Sequence, residues 1–164
     1  MDIRKVAVIG GGTMGNGIAH VFAMSGYPVT LIETRQEFAD RALATIDRNL
    51  ERMVNKEKIT ADKKSETLAN ISVNLDLSAG VKDADLIVEA VPENLNIKRS
   101  VWETVDANAS EQAIFASNTS SISITKLAAL TGRPEKFIGM HFFNPVPVMR
   151  LVEVVRGLDP SDET

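Results

Sequence analysis

The chain has 164 residues, 44% hydrophobic and 24% charged, with a net charge of −4. That suits one globular domain and argues against a general binder of nucleic acid or anionic membranes, since either needs a basic face, while leaving local basic patches open. There is no cysteine, which removes disulfides, thiolate metal sites and cysteine nucleophiles; no metal site is expected, and imidazole chemistry is confined to His20 and His141.

Residues 4–9 are a short apolar run ending at Gly10-Gly11-Gly12 and predict a buried strand. The four apolar residues ahead of the glycines are too few for a signal-peptide core or a membrane span, so a soluble cytoplasmic protein is expected. Residues 14–24 have helical spacing, with Met14, Ile18, Val21 and Phe22 on one face and Ser25-Gly26 as the stop. Residues 29–33 predict a second strand. A long helix over 36–56 carries the apolar stripe Phe38, Leu43, Ile46, Leu50, Met53 and Val54. A more polar helix over 60–68 starts at a Thr60 cap, and a third strand covers 71–75. Residues 85–91 are nearly continuously apolar, as expected of a central parallel strand covered on both faces. A helix over 94–109, a strand over 113–116, a short helix over 123–130 and late strands over 137–142 and 150–155 follow. The alternation specifies a doubly wound α/β domain with a mainly parallel sheet and helices on both faces. Its expected extent is 1–157, with 158–164 a linker and the start of a further helix capped at Ser161.

Gly10-Gly11-Gly12-Thr13-Met14-Gly15 fits G-x-G-x-x-G between a predicted strand and helix. Gly10 allows the tight turn, Gly12 lets the backbone approach a pyrophosphate, and Gly15 lets helix and strand pack closely; Thr13 and Met14 sit at the helix N-terminus where phosphates bind. Glu33, ending the second strand 18 residues beyond Gly15, stands where an acid hydrogen-bonds the adenosine ribose and repels a 2′-phosphate. The pattern predicts a Rossmann-type fold with NAD as cofactor, against the alternative of a purely structural glycine turn. Arg35 is either a solvated charge or a softener of the NAD preference.

Polar groups cluster near the ends of the later strands: residues 117–121, His141 with Asn144, and Glu153. Ligands of open α/β sheets sit outside the carboxyl ends of the strands. A histidine there suits proton transfer, and a carboxylate paired with it would fix its tautomer. The residues alone leave open whether His141 is functional and whether Glu153 is its partner. His20, inside the first helix, reads as structural.

In residues 8–19, 88–93, 117–121, 141–147 and 151–155 the chain resembles the N-terminal domain of the 3-hydroxyacyl-CoA dehydrogenase family, most of all its bacterial 3-hydroxybutyryl-CoA members. The resemblance implies NAD-dependent, reversible oxidation of an (S)-3-hydroxyacyl-CoA to the 3-ketoacyl-CoA. It implies His141 as catalytic base, Glu153 as its electrostatic partner, and Ser120 on the substrate 3-oxygen and the cofactor. Glu93, Lys98 and Asn144 would line the cofactor site, and Asn49, where serine is common, and Lys56 would contact CoA. Lys56 lies among Arg52, Lys58, Lys63 and Lys64, which either meet CoA phosphates or form a solvated face. Family members continue into a helical domain that supplies the homodimer interface and much of the acyl-CoA pocket. The expectation is therefore a cofactor domain that binds NAD with little turnover by itself. The competing reading is a non-catalytic NAD-binding module, such as a crystallin-like relative; nucleic-acid and membrane partners are not expected.

Overall fold

The computed structural model describes residues 2–164. Among the described residues, seven strands form one sheet in the order β3-β2-β1-β4-β5-β6-β7. The first six, β1 (Val6–Ile9), β2 (Val29–Ile32), β3 (Ile71–Asn74), β4 (Leu86–Glu89), β5 (Ile114–Ser117) and β6 (Phe137–Phe142), are parallel to their neighbours, and β7 (Val152–Arg156) runs antiparallel to β6. β1, β2, β4 and β5 are buried along their whole length, which explains their apolar runs.

Side-chain alternation divides the core in two. Val6, Val8, Leu31, Val88 and Ala116 pack with α1 (Thr13–Met24) and α2 (Gln36–Asn55), through Ile18, Ala19, Ala42, Ile46 and Leu50, with α3 (Ala61–Ala69) at its margin. Ala7, Ile9, Ile87 and Phe115 pack on the other face with α5 (Leu95–Asn108) and α6 (Ile124–Ala128), around a fully buried Trp102. Trp102 lies 4.7 Å from Phe137 and 5.3 Å from Phe115, centroid to centroid.

β1 is flanked by β2 on one side and β4 on the other, so the chain leaves the β1 and β4 ends in opposite directions and opens a crevice there. The architecture is the expected doubly wound one, with local differences. A short α4 (Leu77–Gly80), capped by Asp76 accepting from the Ala79 N–H, was not expected. The last strand is 152–156 rather than 150–155. No helix forms at residues 158–164, although Ser161 Oγ accepts from the Thr164 N–H. No helix among the described residues is long and apolar enough to cross a membrane.

Candidate functional site

The β1–α1 turn is built for an anion. Gly10 has φ +91°, a conformation that costs a residue with Cβ. A Cβ on Gly15 would lie 1.7 Å from the Gly10 carbonyl oxygen, whereas one on Gly12 would meet nothing within 4 Å. Gly15 is thus fixed by packing, while the open face of Gly12 turns to the crevice. Gly12 is the N-cap of α1, no side chain caps the helix, and its first turn holds no acid, so its free N–H groups and dipole remain available to a phosphate. A cleft of about 590 Å³ opens here, lined by Gly10, Gly12, Thr13, Met14 and Glu33 on one side and Ala90, Val91 and Pro92 on the other. Glu33 is half-buried and accepts from the Gly11 N–H at 2.5 Å and the Thr34 N–H at 3.0 Å, which aims its carboxylate at the rim. Arg35 is exposed, 3.8 Å from Glu37 and stacked over Phe38.

A second construction lies at the ends of β4 and β5. Glu89, fully buried, accepts from Lys98 Nζ at 2.5 Å, the Val91 N–H at 2.9 Å and Ser117 Oγ at 2.7 Å. Lys98 Nζ also reaches Glu93 at 3.2 Å. The other Glu93 oxygen accepts from the Thr119 hydroxyl, the Ser121 hydroxyl, and the N–H groups of Ser120 and Ser121. Burial on its own would raise the Glu93 pKa; the Thr119 hydrogen bond and the Lys98 charge outweigh it and hold the group down at about 2. Lys98 is 1% exposed and meets the crevice through its contacts to Glu89 and Glu93.

His141 and Glu153 face each other across the β6–β7 ladder, with His141 Nδ1 2.8 Å from Glu153 Oε2. Glu153 was expected near the carboxyl end of a strand. It stands near the start of β7, and the antiparallel direction of β7 brings it to the same end of the sheet as His141. The Phe143 ring packs 4.7 Å from the imidazole. His141, Glu153 and Ser120 line one cleft of about 410 Å³. His20 lies elsewhere, fully buried with neither ring nitrogen hydrogen-bonded to any of the described residues, and desolvation lowers its pKa to about 4.

Asn144 is exposed on the β6–β7 loop, which also carries a cis Asn144–Pro145 peptide, and lines a cleft with Gly11, Gly12, Thr13 and Asn49. Asn49 and Lys56 then share a groove of about 510 Å³ with Arg52, Lys58 and Arg150. The expected basic stretch divides here. Lys63 pairs with Glu66, and Lys64 pairs with Asp47 and Glu51, whose hydrogen bonds hold its ammonium above the ordinary pKa. Neither lines the groove, and Arg150 joins it from the far side.

Residues 5–164 match the family model described as 3-hydroxyacyl-CoA dehydrogenase, NAD binding domain. The chain belongs to that family. It is 46% identical to a 3-hydroxybutyryl-CoA dehydrogenase of Bradyrhizobium diazoefficiens over 99% of its length, and 42% identical to the mitochondrial hydroxyacyl-coenzyme A dehydrogenase of Rattus norvegicus over 99%. Those alignments cover 55% and 53% of the relatives, so the chain spans about half the length of the curated relatives it matches. The crystal structure of the (S)-3-hydroxybutyryl-CoA dehydrogenase of Ralstonia eutropha superposes with a TM-score of 0.96 at 46% identity, covering 99% of this chain and 57% of that one.

In this NAD-binding family domain, the expected residues gather into three places: the glycine turn with Glu33, the His141 cleft with Ser120 and Glu153, and the α2 groove with Asn49 and Lys56. Glu93 lies between the first two. Sequence reasoning gave Glu89 no role and named Ser117 and Thr119 only within the polar segment 117–121. The one signal for Glu89 was a carboxylate at the end of an otherwise continuous apolar strand, a position that is rarely buried without a partner.

Proposed function

We propose that this chain is the cofactor-binding and proton-transfer half of an NAD-dependent (S)-3-hydroxyacyl-CoA dehydrogenase. The observation that carries the reading is the His141–Glu153 pair at 2.8 Å in a cleft shared with Ser120. The open face of Gly12 and the uncapped α1 N-terminus fit the pyrophosphate of NAD. Gly10, Gly15, Thr13 and Met14 shape that cradle, and Glu33 holds the adenosine ribose. Asn144 and Glu93 flank the remaining half, with Lys98 acting through Glu93.

Bound NAD supplies the hydride acceptor. With Glu153 accepting from Nδ1–H, the neutral imidazole carries its lone pair on Nε2, where it takes the proton of the 3-hydroxyl. Glu153 then stabilises the imidazolium that forms, and Ser120 Oγ orients the substrate oxygen. In the reverse direction the imidazolium returns the proton to the 3-oxygen. Asn49 and Lys56 hold the CoA portion, with Arg52, Lys58 and Arg150 as further cations for its phosphates. The full-length enzyme dimerises through the part of the relatives that lies outside this chain.

Titration calorimetry with NADH, NADPH and acetoacetyl-CoA tests the reading. NADH binds and NADPH binds at least about tenfold more weakly, because Glu33 repels the 2′-phosphate. In a turnover assay of the full-length enzyme, His141→Gln loses on the order of 10²–10⁴-fold in kcat, and Glu153→Gln loses less while retaining NADH affinity. Equal NADH and NADPH affinities would overturn the role of Glu33, and undiminished turnover by His141→Gln would overturn that of the base.

A further inference from the structure

Glu89, Lys98 and Glu93 hold two carboxylates against one ammonium. The shorter contact of Lys98 is to Glu89, at 2.5 Å against 3.2 Å to Glu93. Glu89 is 0% exposed, and a carboxylate buried to that degree stays ionised only when paired. One ammonium serves two carboxylates, so the triad keeps one negative charge in excess, and its solvent-facing member is Glu93. The Glu93 side chain is 37% exposed. Its pKa of about 2 keeps it ionised at every working pH.

Its position follows from the topology. Glu33, after β2, marks the adenosine side of the crevice, and the β1–α1 turn takes the pyrophosphate. β4 and β5 lie on the other side of β1 from β2, so the rest of an extended dinucleotide crosses their carboxyl ends. Glu93 stands there, just after the Ala90, Val91 and Pro92 wall of the cofactor cleft and bonded to the 119–121 turn of the His141 cleft.

The oxidised nicotinamide ring carries a positive charge that the reduced ring lacks. We propose that the unmatched charge of this triad, carried by Glu93, stabilises the oxidised ring over the reduced one and so sets the ratio of NAD⁺ to NADH affinity. Glu93 contributes through its charge, and Glu89 is the positioning residue that takes the closer contact of Lys98. The inference rests on the cofactor reading above. Its functional consequence is that bound NADH becomes the stronger hydride donor, which tilts the on-protein equilibrium toward reduction of the 3-ketone. An opposite unit charge in a partly solvated cleft changes the ratio about tenfold, equivalent to about 30 mV for a two-electron couple.

The test compares dissociation constants for NAD⁺ and NADH by calorimetry in the parent, Glu93→Gln, Glu89→Gln and Glu89→Gln/Lys98→Gln. The triad charge is −1 in the parent, zero in either single variant and −1 again in the double. The expected result is that both single variants weaken NAD⁺ relative to NADH by about tenfold and the double returns toward the parent ratio. A purely structural role would weaken both nucleotides by the same factor and leave the ratio unmoved, and that outcome overturns the proposal. Glu93→Gln decides the matter even where the Glu89 variants fail to fold, because its side chain is partly solvated and the amide oxygen still accepts from Thr119. Failure of the parent to bind either nucleotide would overturn the cofactor reading and this inference together, whereas binding with an unmoved ratio overturns this inference alone.

Discussion

A buried histidine without hydrogen bonds makes a direct statement about acid stability. His20 has a folded-state pKa of about 4 against an ordinary 6.5, caused by desolvation. Above pH 6.5 the ring is neutral in both states and costs nothing. Below it the unfolded chain takes up a proton that the folded chain refuses, so stability falls as pH drops from 6.5 toward 4. The full shift corresponds to about 3 kcal/mol, of which about 2 kcal/mol is lost by pH 5. Denaturant unfolding at pH 7 and pH 5 checks this: His20→Leu has a flatter pH dependence than the parent, whatever its absolute stability. An identical slope in the two proteins would mean that His20 is not the group responsible. The same residue-scale logic separates what was legible in the sequence from what was not. His141, Ser120 and Glu33 stand out because polar side chains at strand ends face ligands. Glu89 did not stand out, because a single acid after apolar residues also reads as a solvated strand end; only the chain fold brings Lys98, nine residues later, and Ser117, 28 residues later, onto its oxygens. For Lys63 and Lys64 the sequence leaves two readings open, and the fold separates them from the groove: Lys63 pairs within its own helix and Lys64 pairs with α2, 13 and more residues away.

Elements whose identity follows from repetition were read correctly, and elements fixed by a few contacts were not. The alternating strands and helices follow from buried apolar runs and one-sided stripes, which are local. α4 has only four residues, fewer than periodicity can register. The direction of β7 depends on its ladder to β6, and the pairing of Glu153 with His141 depends on that direction. The β1–α1 turn is the element where sequence and geometry meet most closely, and it separates folding from binding. Gly15→Ala places a methyl carbon onto the Gly10 carbonyl oxygen; that overlap cannot relax without moving β1 or α1, and costs about 3 kcal/mol or more. Gly12→Ala meets nothing within 4 Å and has φ −62°, so it changes stability by about 1 kcal/mol or less. It nevertheless weakens NADH binding severely, because the methyl occupies the approach of the pyrophosphate. Thermal unfolding and NADH calorimetry on the two variants should give opposite patterns. A Gly12→Ala protein with parental NADH affinity would show that the phosphates bind elsewhere.

At the scale of the whole molecule, the exposed apolar surface is strongly uneven. Among the described residues, eight large hydrophobic side chains are exposed, and six of them lie between residues 148 and 158: Val148, Met149, Leu151, Val154, Val155 and Leu158. Two of them, Val154 and Val155, belong to β7, one of the two edge strands of the sheet. An exposed edge strand with apolar side chains is a template for pairing with another copy, and apolar clustering of this kind on a monomer marks a surface that associates. The net charge of −4 offers modest repulsion, and salt screens it over roughly 8–10 Å at physiological ionic strength. The 164-residue chain is therefore expected to self-associate reversibly at high micromolar concentration, more strongly as salt rises. Sedimentation velocity across a concentration series measures this directly. Leu151→Lys/Val154→Lys puts two cations on the segment and is expected to keep the protein monomeric over the same range. NADH binding should be unaltered, because neither residue touches the glycine turn or the His141 cleft. A parent that sediments as a monomer throughout, at low and high salt alike, would show that the 148–158 surface does not drive association.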